Sequence, residues 1–386
     1  MLGVVPLSIP NFEGNELKYV TNAISEGWVS TGGAYITELE NKISEFIHTE
    51  GAVACQSGTA AIHLALIECG VKKDELVIVP TLTFIAAVNP VRYVGADPVF
   101  MDCDDSLCMD PVKLRSFCEL ECEIEGGILT HKKTKKKIRA IIVVHVFGNM
   151  ADMENIIDIA REYHLRVIED ATEALGTKYE IGRYAEKYAG TIGDFGAFSF
   201  NGNKIITTGG GGMLVAKNVD QLKHLRYLST QAKDDALFYI HDEVGYNYRM
   251  TNVQAAIGVA QMEELPEFIS RKNKNYELYN ELLADWDGGY LLNFRKGTRS
   301  NKWFYSLFIQ QLHKPMNELI YELSENGVQT RAIWGLIHLQ KPYIHSIAYG
   351  IEQASYYSDR IINLPCSTNI MDSDINKVCN LVKKIC

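Results

Sequence analysis

The feature that most constrains the fold is an alternation of short apolar runs with helix-like segments between about residues 50 and 216. The predicted strands are apolar strand-like runs, at 52–55, 76–80, 98–102, 140–146, 166–170, 196–200 and 212–215. Segments with helical periodicity, such as 59–69 and 153–163, separate these runs. Buried strands separated by helices indicate an α/β fold with a mostly parallel central sheet.

Polar residues follow or close five of these predicted strands. They are Ser57, Thr83, His145, Asp170 and Ser199. In a parallel sheet the carboxyl ends of the strands meet at one edge, and ligands bind in the crevice outside that edge. We therefore expect the functional site there.

The pattern of predicted elements changes after the last of these strands. A long helical pattern runs from residue 252 to about 283, with Pro266 at a position where proline can kink or break a helix. The pattern then mixes strand-like segments at 303–310 and 328–332 with helical segments at 314–326 and 372–384. We predict a large α/β domain over residues 1–260 and a smaller C-terminal α+β domain over 261–386.

Composition narrows the classes of partner. The 386 residues carry a net charge of −10, which argues against nucleic acid binding. The basic run at 131–137 is interpreted as a solvated hairpin tip rather than an anion-binding patch. Nine cysteines without a Cys-x-x-Cys pair or zinc-type spacing indicate free thiols, no metal site and a cytoplasmic protein. We predict no membrane span, because no apolar stretch approaches roughly 20 residues, and no signal peptide.

Two residues carry the main chemical signal. Asp170 closes the apolar run at 166–170, and Lys204 lies in a loop rich in Ser, Asn and Gly before Gly209–Gly212. Alone, such an aspartate is usually a cap or turn residue, and such a lysine is usually solvated. Together they match pyridoxal phosphate chemistry, in which a lysine bonds to the cofactor aldehyde and a carboxylate keeps the ring nitrogen protonated. The glycine run lacks the Gly-Lys-Ser/Thr ending of a phosphate loop, so we interpret it as a turn.

The strings Asp-Ala-Thr-Glu-Ala-Leu-Gly from residue 170 and Ser-Phe-Asn-Gly-Asn-Lys from residue 199 resemble the DegT/DnrJ/EryC1/StrS family of nucleotide-sugar aminotransferases. The resemblance covers about residues 8 to 345. It implies fold type I, the aspartate-aminotransferase-like fold of pyridoxal phosphate enzymes. It also implies that Lys204 and Asp170 are catalytic, with Lys204 both holding the cofactor and moving a proton.

The resemblance also implies cofactor contacts. Gly58 and Thr59 would hold the phosphate at a helix start, a suitable place for an anion, although the same turn is an ordinary helix cap. Ser199 would be a further phosphate ligand. Phe84 would stack on the ring rather than belong to the core. Asn247, in a polar loop before the long helix, would reach the phosphate of the partner subunit.

The family usually has Gln or His where this chain has Glu173, so we predict proximity to the cofactor for Glu173 without a definite role. The predicted substrate contacts come from an N-terminal loop, the polar loop before the long helix and a C-terminal motif. They are Ser30, Thr31, Arg249, Arg331 and His338.

The resulting prediction is an aminotransferase that moves an amino group from glutamate to the 4-keto carbon of a UDP-linked 2-acetamido-6-deoxy sugar, for surface glycan or nonulosonic acid biosynthesis. It would be a homodimer with shared active sites. One alternative is a sugar dehydratase, although that branch carries His where this chain has Lys204. Two others are a non-catalytic cofactor-binding sensor and a nicotinamide enzyme, but the turn at 57–59 lacks the Gly-x-Gly-x-x-Gly fingerprint.

Overall fold

A computed structural model describes residues 3–235 and 237–386. The α-helices of this part of the chain are α1 (Glu16–Ser25), α2 (Ala34–Ile47), α3 (Gly58–Glu68), α4 (Asn89–Tyr93), α5 (Pro111–Glu121), α6 (Met153–Glu162), α7 (Val219–Ser229), α8 (Asn252–Leu283), α9 (Met316–Glu325), α10 (Gln353–Ser358) and α11 (Asp372–Ile385). The strands are β1 (Val53–Cys55), β2 (Leu76–Pro80), β3 (Asp97–Met101), β4 (Cys122–Glu125), β5 (Ile128–His131), β6 (Lys137–Val144), β7 (Arg166–Asp170), β8 (Lys178–Tyr179), β9 (Phe195–Ser199), β10 (Gly212–Ala216), β11 (Gly289–Leu291), β12 (Thr298–Arg299), β13 (Tyr305–Ile309), β14 (Arg331–Ala332), β15 (Ile347–Tyr349) and β16 (Ile361–Leu364).

The central sheet has the order β1-β10-β9-β7-β6-β2-β3-β15. Its middle pairs, from β9 through β7, β6 and β2 to β3, are parallel, as is the pairing of β15 with β3. Only the β1–β10–β9 edge is antiparallel among these neighbours. The prediction of a mostly parallel α/β sheet is confirmed, and the strand bounds differ from the predicted ones by a few residues at most.

The strands are buried on both faces because helices cover them. Every residue of β2 and β10 is buried, and β7 is buried from Val167 to Asp170. Helix α3 is apolar nearly all round and packs against β9, β10 and β7. This packing fixes the start of α3 beside the carboxyl ends of β7 and β9.

The long helix α8 has the predicted bounds. Its N-cap Thr251 accepts a hydrogen bond from the backbone of Gln254, whose side chain accepts one from Thr251 in return. The helix continues through Pro266, so the proline does not end it. Helices α1, α2 and α11 pack along α8.

The basic run at 131–137 forms the turn between β5 and β6, which confirms the predicted hairpin tip. Its lysines bind local acceptors: Lys132 Nζ donates to the carbonyl of Leu120 at the end of α5, 2.8 Å away. Lys135 pairs with Glu123, and Lys136 pairs with Asp97, each at 2.5 Å. This pairing favours the structural interpretation over an anion-binding patch.

The C-terminal part has an antiparallel sheet of order β11-β13-β16-β14, with α9 beside β14 and α11 packed against α8 and α9. The predicted strand at 328–332 is shorter, since β14 is Arg331–Ala332 alone. Among the described residues, three strand pairings cross the predicted boundary at residue 260. Strand β15 joins the central sheet, β12 pairs with β8, and Val5 pairs with Val328. The division into 1–260 and 261–386 stays a prediction.

Among the described helices, none has the length and apolar character needed to cross a membrane.

Candidate active site

A cavity of about 370 Å³ opens at the carboxyl edge of the central sheet. Its wall is formed by the ends of β7 and β9, the start of α3 and aromatic residues from the C-terminal part of the chain. Seven of the predicted site residues line it: Gly58, Thr59, Phe84, Asp170, Glu173, Ser199 and Lys204. The edge predicted from strand order is therefore where these side chains meet.

The amine of Lys204 lies inside this cavity. Its Nζ is 3.7 Å from Glu173 Oε1 and 3.9 Å from the centroid of the Trp303 ring. Burial lowers the pKa of Lys204, although the charges of Glu173 and Asp170 oppose that shift. Burial likewise raises the pKa of Glu173 to about 7, against the opposing effect of Lys204. The two pKa values therefore approach each other, which favours proton exchange at this position.

The carboxylate of Asp170 ends β7 and faces the cavity. Its Oδ1 accepts a hydrogen bond from the backbone of Thr172 at 3.0 Å. Burial raises the pKa of Asp170, because an isolated buried carboxylate is costly. The charge of Lys204 opposes this shift, and a protonated ring nitrogen would add a second opposite charge beside the carboxylate.

The neighbouring Glu169 points to the other face of the sheet and holds a buried network. It accepts hydrogen bonds from His145 Nε2 at 2.8 Å and from the backbone of Gly190 at 2.9 Å and Ile192 at 2.6 Å. His145 Nδ1 accepts from the backbone of Ala151, so the ring proton is on Nε2. Burial raises the pKa of Glu169, but these donors outweigh it and the net shift is downward. The network fixes the ends of β6 and β7 under the cavity.

The turn before α3 provides the positive end of a helix dipole. Ser57 is the N-cap, and its hydroxyl accepts from the backbone of Ala60 at 3.0 Å. A Cβ at Gly58 would lie 2.7 Å from the Thr172 side chain and 3.2 Å from the Phe198 carbonyl, so the close approach needs glycine. A phosphate suits a helix start of this kind.

Phe84 is 54% exposed at the cavity wall, so it is not a core residue.

Beside the lysine, Gly210 and Gly211 form the predicted turn and also line the cavity, while Gly212 already belongs to β10. Gln254 Nε2 donates to the Gly210 carbonyl at 2.7 Å and ties this turn to α8.

The other six predicted residues lie elsewhere on the described chain. Asn247 is exposed, and its Oδ1 accepts from Gln231 at 3.0 Å. The guanidinium of Arg249 binds the buried Glu40, which also binds Arg226 at 2.8 Å. Within one subunit, Arg249 therefore serves as an anchor for its loop.

Ser30 and Thr31 are exposed in the loop before α2, where the Ser30 carbonyl accepts from the backbone of Asn252 at 2.6 Å. Arg331 is exposed in β14. His338 forms a 2.6 Å hydrogen bond with Thr81 at the end of β2. These residues lie outside the cavity of one subunit, and their substrate roles stay predictions.

Sequence reasoning missed Trp303 and Phe304, which line the cavity next to Lys204. Their rings stack with centroids 4.0 Å apart. Trp334 also lines the cavity and stacks on Phe147 at 4.5 Å. The predicted strand at 303–310 includes this aromatic pair, but the observed strand β13 begins only at Tyr305.

The donor set fits pyridoxal phosphate. An amine, a buried carboxylate and the N-terminus of a helix face one cavity, in positions suited to an aldehyde, a ring nitrogen and a phosphate. Among the described residues, no group of His, Cys, Asp and Glu side chains could hold a metal ion.

The model of the DegT/DnrJ/EryC1/StrS aminotransferase family matches residues 10–383. The chain belongs to this family. It is a pyridoxal phosphate-dependent nucleotide-sugar aminotransferase, and its fold is fold type I.

Individual relatives match over nearly their whole length. A putative pyridoxal phosphate-dependent aminotransferase, EpsN of Bacillus subtilis, is 34% identical over 96% of this chain and 93% of its own. The GDP-perosamine synthase of Caulobacter vibrioides is also 34% identical, over 97% and 96%. The crystal structure of a family aminotransferase from Brucella abortus superposes with a TM-score of 0.86 at 26% identity, covering 96% of this chain and 95% of that one.

Proposed function

We propose that this aminotransferase moves an amino group from glutamate to the 4-keto carbon of a nucleotide-linked 6-deoxy sugar. The observation that carries the proposal is the placement of the Lys204 amine and the Asp170 carboxylate in one cavity with the start of α3. The specific substrate that we propose is a UDP-linked 2-acetamido sugar used for surface glycan or nonulosonic acid biosynthesis.

Each cavity residue has a proposed task. Lys204 binds the cofactor and later moves a proton at the carbon that gains or loses nitrogen. Asp170 keeps the ring nitrogen protonated, while Gly58, Thr59 and Ser199 bind the phosphate. Phe84 packs on the ring face. Bound pyridoxal phosphate supplies an electron-accepting ring, which the side chains alone cannot provide.

A lysine at position 204 favours transamination over dehydration, because an amine is needed both to hold the cofactor and to carry the proton. A non-catalytic sensor would need neither a buried lysine next to a carboxylate nor a cavity of about 370 Å³.

Nine free cysteines support the proposed cytoplasmic location.

The nucleotide is the least constrained part of the proposal. The UDP assignment rests on the resemblance of the two strings around Asp170 and Lys204. The similarity to GDP-perosamine synthases of three organisms supports a GDP-linked sugar as a second candidate. The two candidates differ in a nucleotide that the protein must recognise outside the lysine cavity.

Purified protein should convert one nucleotide-4-keto sugar to its amino sugar when supplied with glutamate. The test incubates UDP-, GDP- and dTDP-linked 4-keto-6-deoxy sugars separately and follows each product by mass spectrometry, with Lys204→Arg as the control that keeps the charge. Amination of the UDP sugar supports the full proposal, and amination of the GDP sugar alone corrects the nucleotide. Loss of a hydroxyl without gain of nitrogen would instead identify a dehydratase, and bound cofactor with no turnover would favour the sensor.

The homodimer is supported by an exposed apolar segment next to the Asn247 loop. Its large side chains are between 52% and 82% exposed: Leu237, Phe238, Tyr239, Ile240 and Val244. Large apolar side chains exposed together in one segment are typical of protein contacts. A two-fold dimer would bury this segment twice and bring each Asn247 to the partner's cavity.

Mixing two inactive variants should then restore activity. Lys204→Ala and Asn247→Ala carry their defects in different parts of a shared site, so a heterodimer regains one intact site and up to half of the wild-type activity. Asn247 is used without Arg249, because Arg249 also anchors its own loop through Glu40. The measurement requires that Asn247→Ala alone is impaired and that subunit exchange is verified by mass. Exchange without recovery would show that Asn247 serves its own chain.

A further inference from the structure

Two groups from distant parts of the sequence lie against the amine of Lys204. Glu173 Oε1 approaches Nζ to 3.7 Å, and the Trp303 ring centroid lies 3.9 Å from it. Glu173 is 4% exposed and Trp303 is 3% exposed, so both side chains are shielded from water. We refer to Glu173 and Trp303 as the lysine-holding pair.

The carboxylate of the pair is fixed in place. Glu173 Oε2 accepts from the backbone of Phe147 at 2.7 Å, which leaves Oε1 towards the lysine. The Glu173 carbonyl accepts from Asn301 Nδ2 at 3.0 Å. The same amide nitrogen donates to the Leu175 carbonyl, also at 3.0 Å.

The indole of the pair is fixed from the other side. Asn301 Oδ1 accepts from the backbone of Trp303 at 3.0 Å, so one buried side chain binds both members of the pair. Trp303 Nε1 donates to the Asn203 carbonyl at 2.7 Å, next to the lysine itself. The Trp303 carbonyl accepts from the buried Lys272 Nζ at 2.6 Å.

This geometry suits an ammonium group. A carboxylate within about 4 Å and the face of an indole both attract a positive charge, and each attraction is stronger where water is excluded. The family usually has Gln or His where this chain has Glu173, and a neutral Gln would lack the charge. The chain thus combines a carboxylate and an indole at the place where its essential amine lies.

We propose that the lysine-holding pair binds the Lys204 amine whenever that amine is not bonded to the cofactor, with Asn301 as the positioning residue. This inference rests on the proposed function, since transamination releases the lysine from the cofactor in the first half-reaction and bonds it again in the second. Binding the released amine stabilises the amino form of the loaded enzyme. It also keeps the amine at one place in the cavity, from which it can return.

The first test is the equilibrium of the glutamate half-reaction in the loaded enzyme, read from absorbance spectra at known ratios of glutamate to 2-oxoglutarate. Trp303→Leu should move this equilibrium roughly threefold to thirtyfold towards the lysine-bound form, because it removes a buried cation–π contact. Trp303→Phe keeps an aromatic face and should recover part of the shift. Glu173→Gln keeps the shape of the side chain and removes its charge. It should shift the equilibrium by about tenfold or more, again towards the lysine-bound form.

Trp286→Leu is the matched control. Trp286 is a partly buried tryptophan packed against the core, and it does not line the active-site cavity. Its replacement should leave the half-reaction equilibrium within about twofold of the wild type. An equal shift in Trp286→Leu, or none in both Trp303→Leu and Glu173→Gln, would overturn the inference.

A second measurement does not depend on glutamate. The rate at which the cofactor-free full chain captures pyridoxal phosphate at Lys204 is measured from pH 6 to 9 by borohydride trapping. Only the neutral amine reacts, and Glu173 and Asp170 are the titratable groups that face it. Below the amine pKa, both Trp303→Leu and Glu173→Gln should capture the cofactor about threefold to tenfold faster than wild type. Unchanged profiles would reject the lysine-holding pair, while failure of glutamate alone would reject only the proposed donor.

Discussion

Replacing Lys204 with alanine is expected to abolish both the visible absorption band of the bound cofactor and its bleaching by borohydride. Transamination should fall by roughly four or more orders of magnitude, because the same amine holds the cofactor and moves the proton. The fold should survive, since the Lys204 side chain points into the cavity rather than into the packed core. Spectra of the purified variant and single-turnover rates with glutamate measure the two effects.

Lys187→Ala is a suitable control for this prediction. Lys187 is an exposed lysine that lies outside the active-site cavity, so its loss should leave the band and the rate unchanged. A borohydride-reducible band that persists in Lys204→Ala would contradict the assignment of Lys204.

The central sheet was predictable from sequence because its signal is local. A strand buried on both faces is a continuous apolar run, and a polar residue marks where it ends. Strand β2 illustrates this, because its predicted bounds, Leu76–Pro80, are the observed ones. Helix α8 was predicted equally well, because its capping residues Thr251 and Gln254 are close neighbours in sequence.

The cavity wall from the C-terminal part was not predictable in the same way. Asn301 binds carbonyls more than 120 positions earlier in the chain, at Glu173 and Leu175, and no periodicity records such a contact. The place of Trp303 over Lys204 depends on that link. From sequence alone, an aromatic residue next to a strand is interpreted as a core residue, because the cavity that it lines is visible only once the topology is known.

Arg249 shows a different limit of sequence reasoning. The family resemblance implies a substrate contact for Arg249, yet in one subunit its partner is the buried Glu40 of α2. Glu40 Oε1 also accepts from the backbone of Ala54 in β1 at 2.7 Å. The charge of Arg249 thus stabilises the loop whose Asn247 we propose to cross the dimer.

The remaining wall of the site is held in place by contacts between the central sheet and the C-terminal part of the chain. Asp102, at the end of β3, accepts from three successive backbone N–H groups at the start of α10. Strand β15 then extends the central sheet beside β3. These contacts fix the C-terminal segment that carries Trp334 against the large sheet, and they explain how residues remote in sequence reach one cavity.

Asp170→Asn is expected to retain the cofactor but to slow both half-reactions by about three to five orders of magnitude. The amide can still accept the hydrogen bond from Thr172, so the local structure is kept. It cannot balance a positive ring nitrogen, and an opposite charge at close range shifts such a pKa by about one to three units. Without that proton the ring accepts electrons poorly, and the step that moves a proton at carbon becomes slow.

Asp194→Asn separates this effect from damage to the strand. Asp194 lies at the opposite end of β7, where its Oδ2 accepts from the backbone of Val167 at 2.8 Å, and it is outside the active-site cavity. Both variants remove one carboxylate at an end of β7, but only Asp170→Asn removes charge from the site. Rates are measured in single turnovers with glutamate and then with the keto sugar. Near-normal rates in Asp170→Asn, or equal losses in the two variants, would show that the carboxylate of Asp170 supports the fold rather than the chemistry.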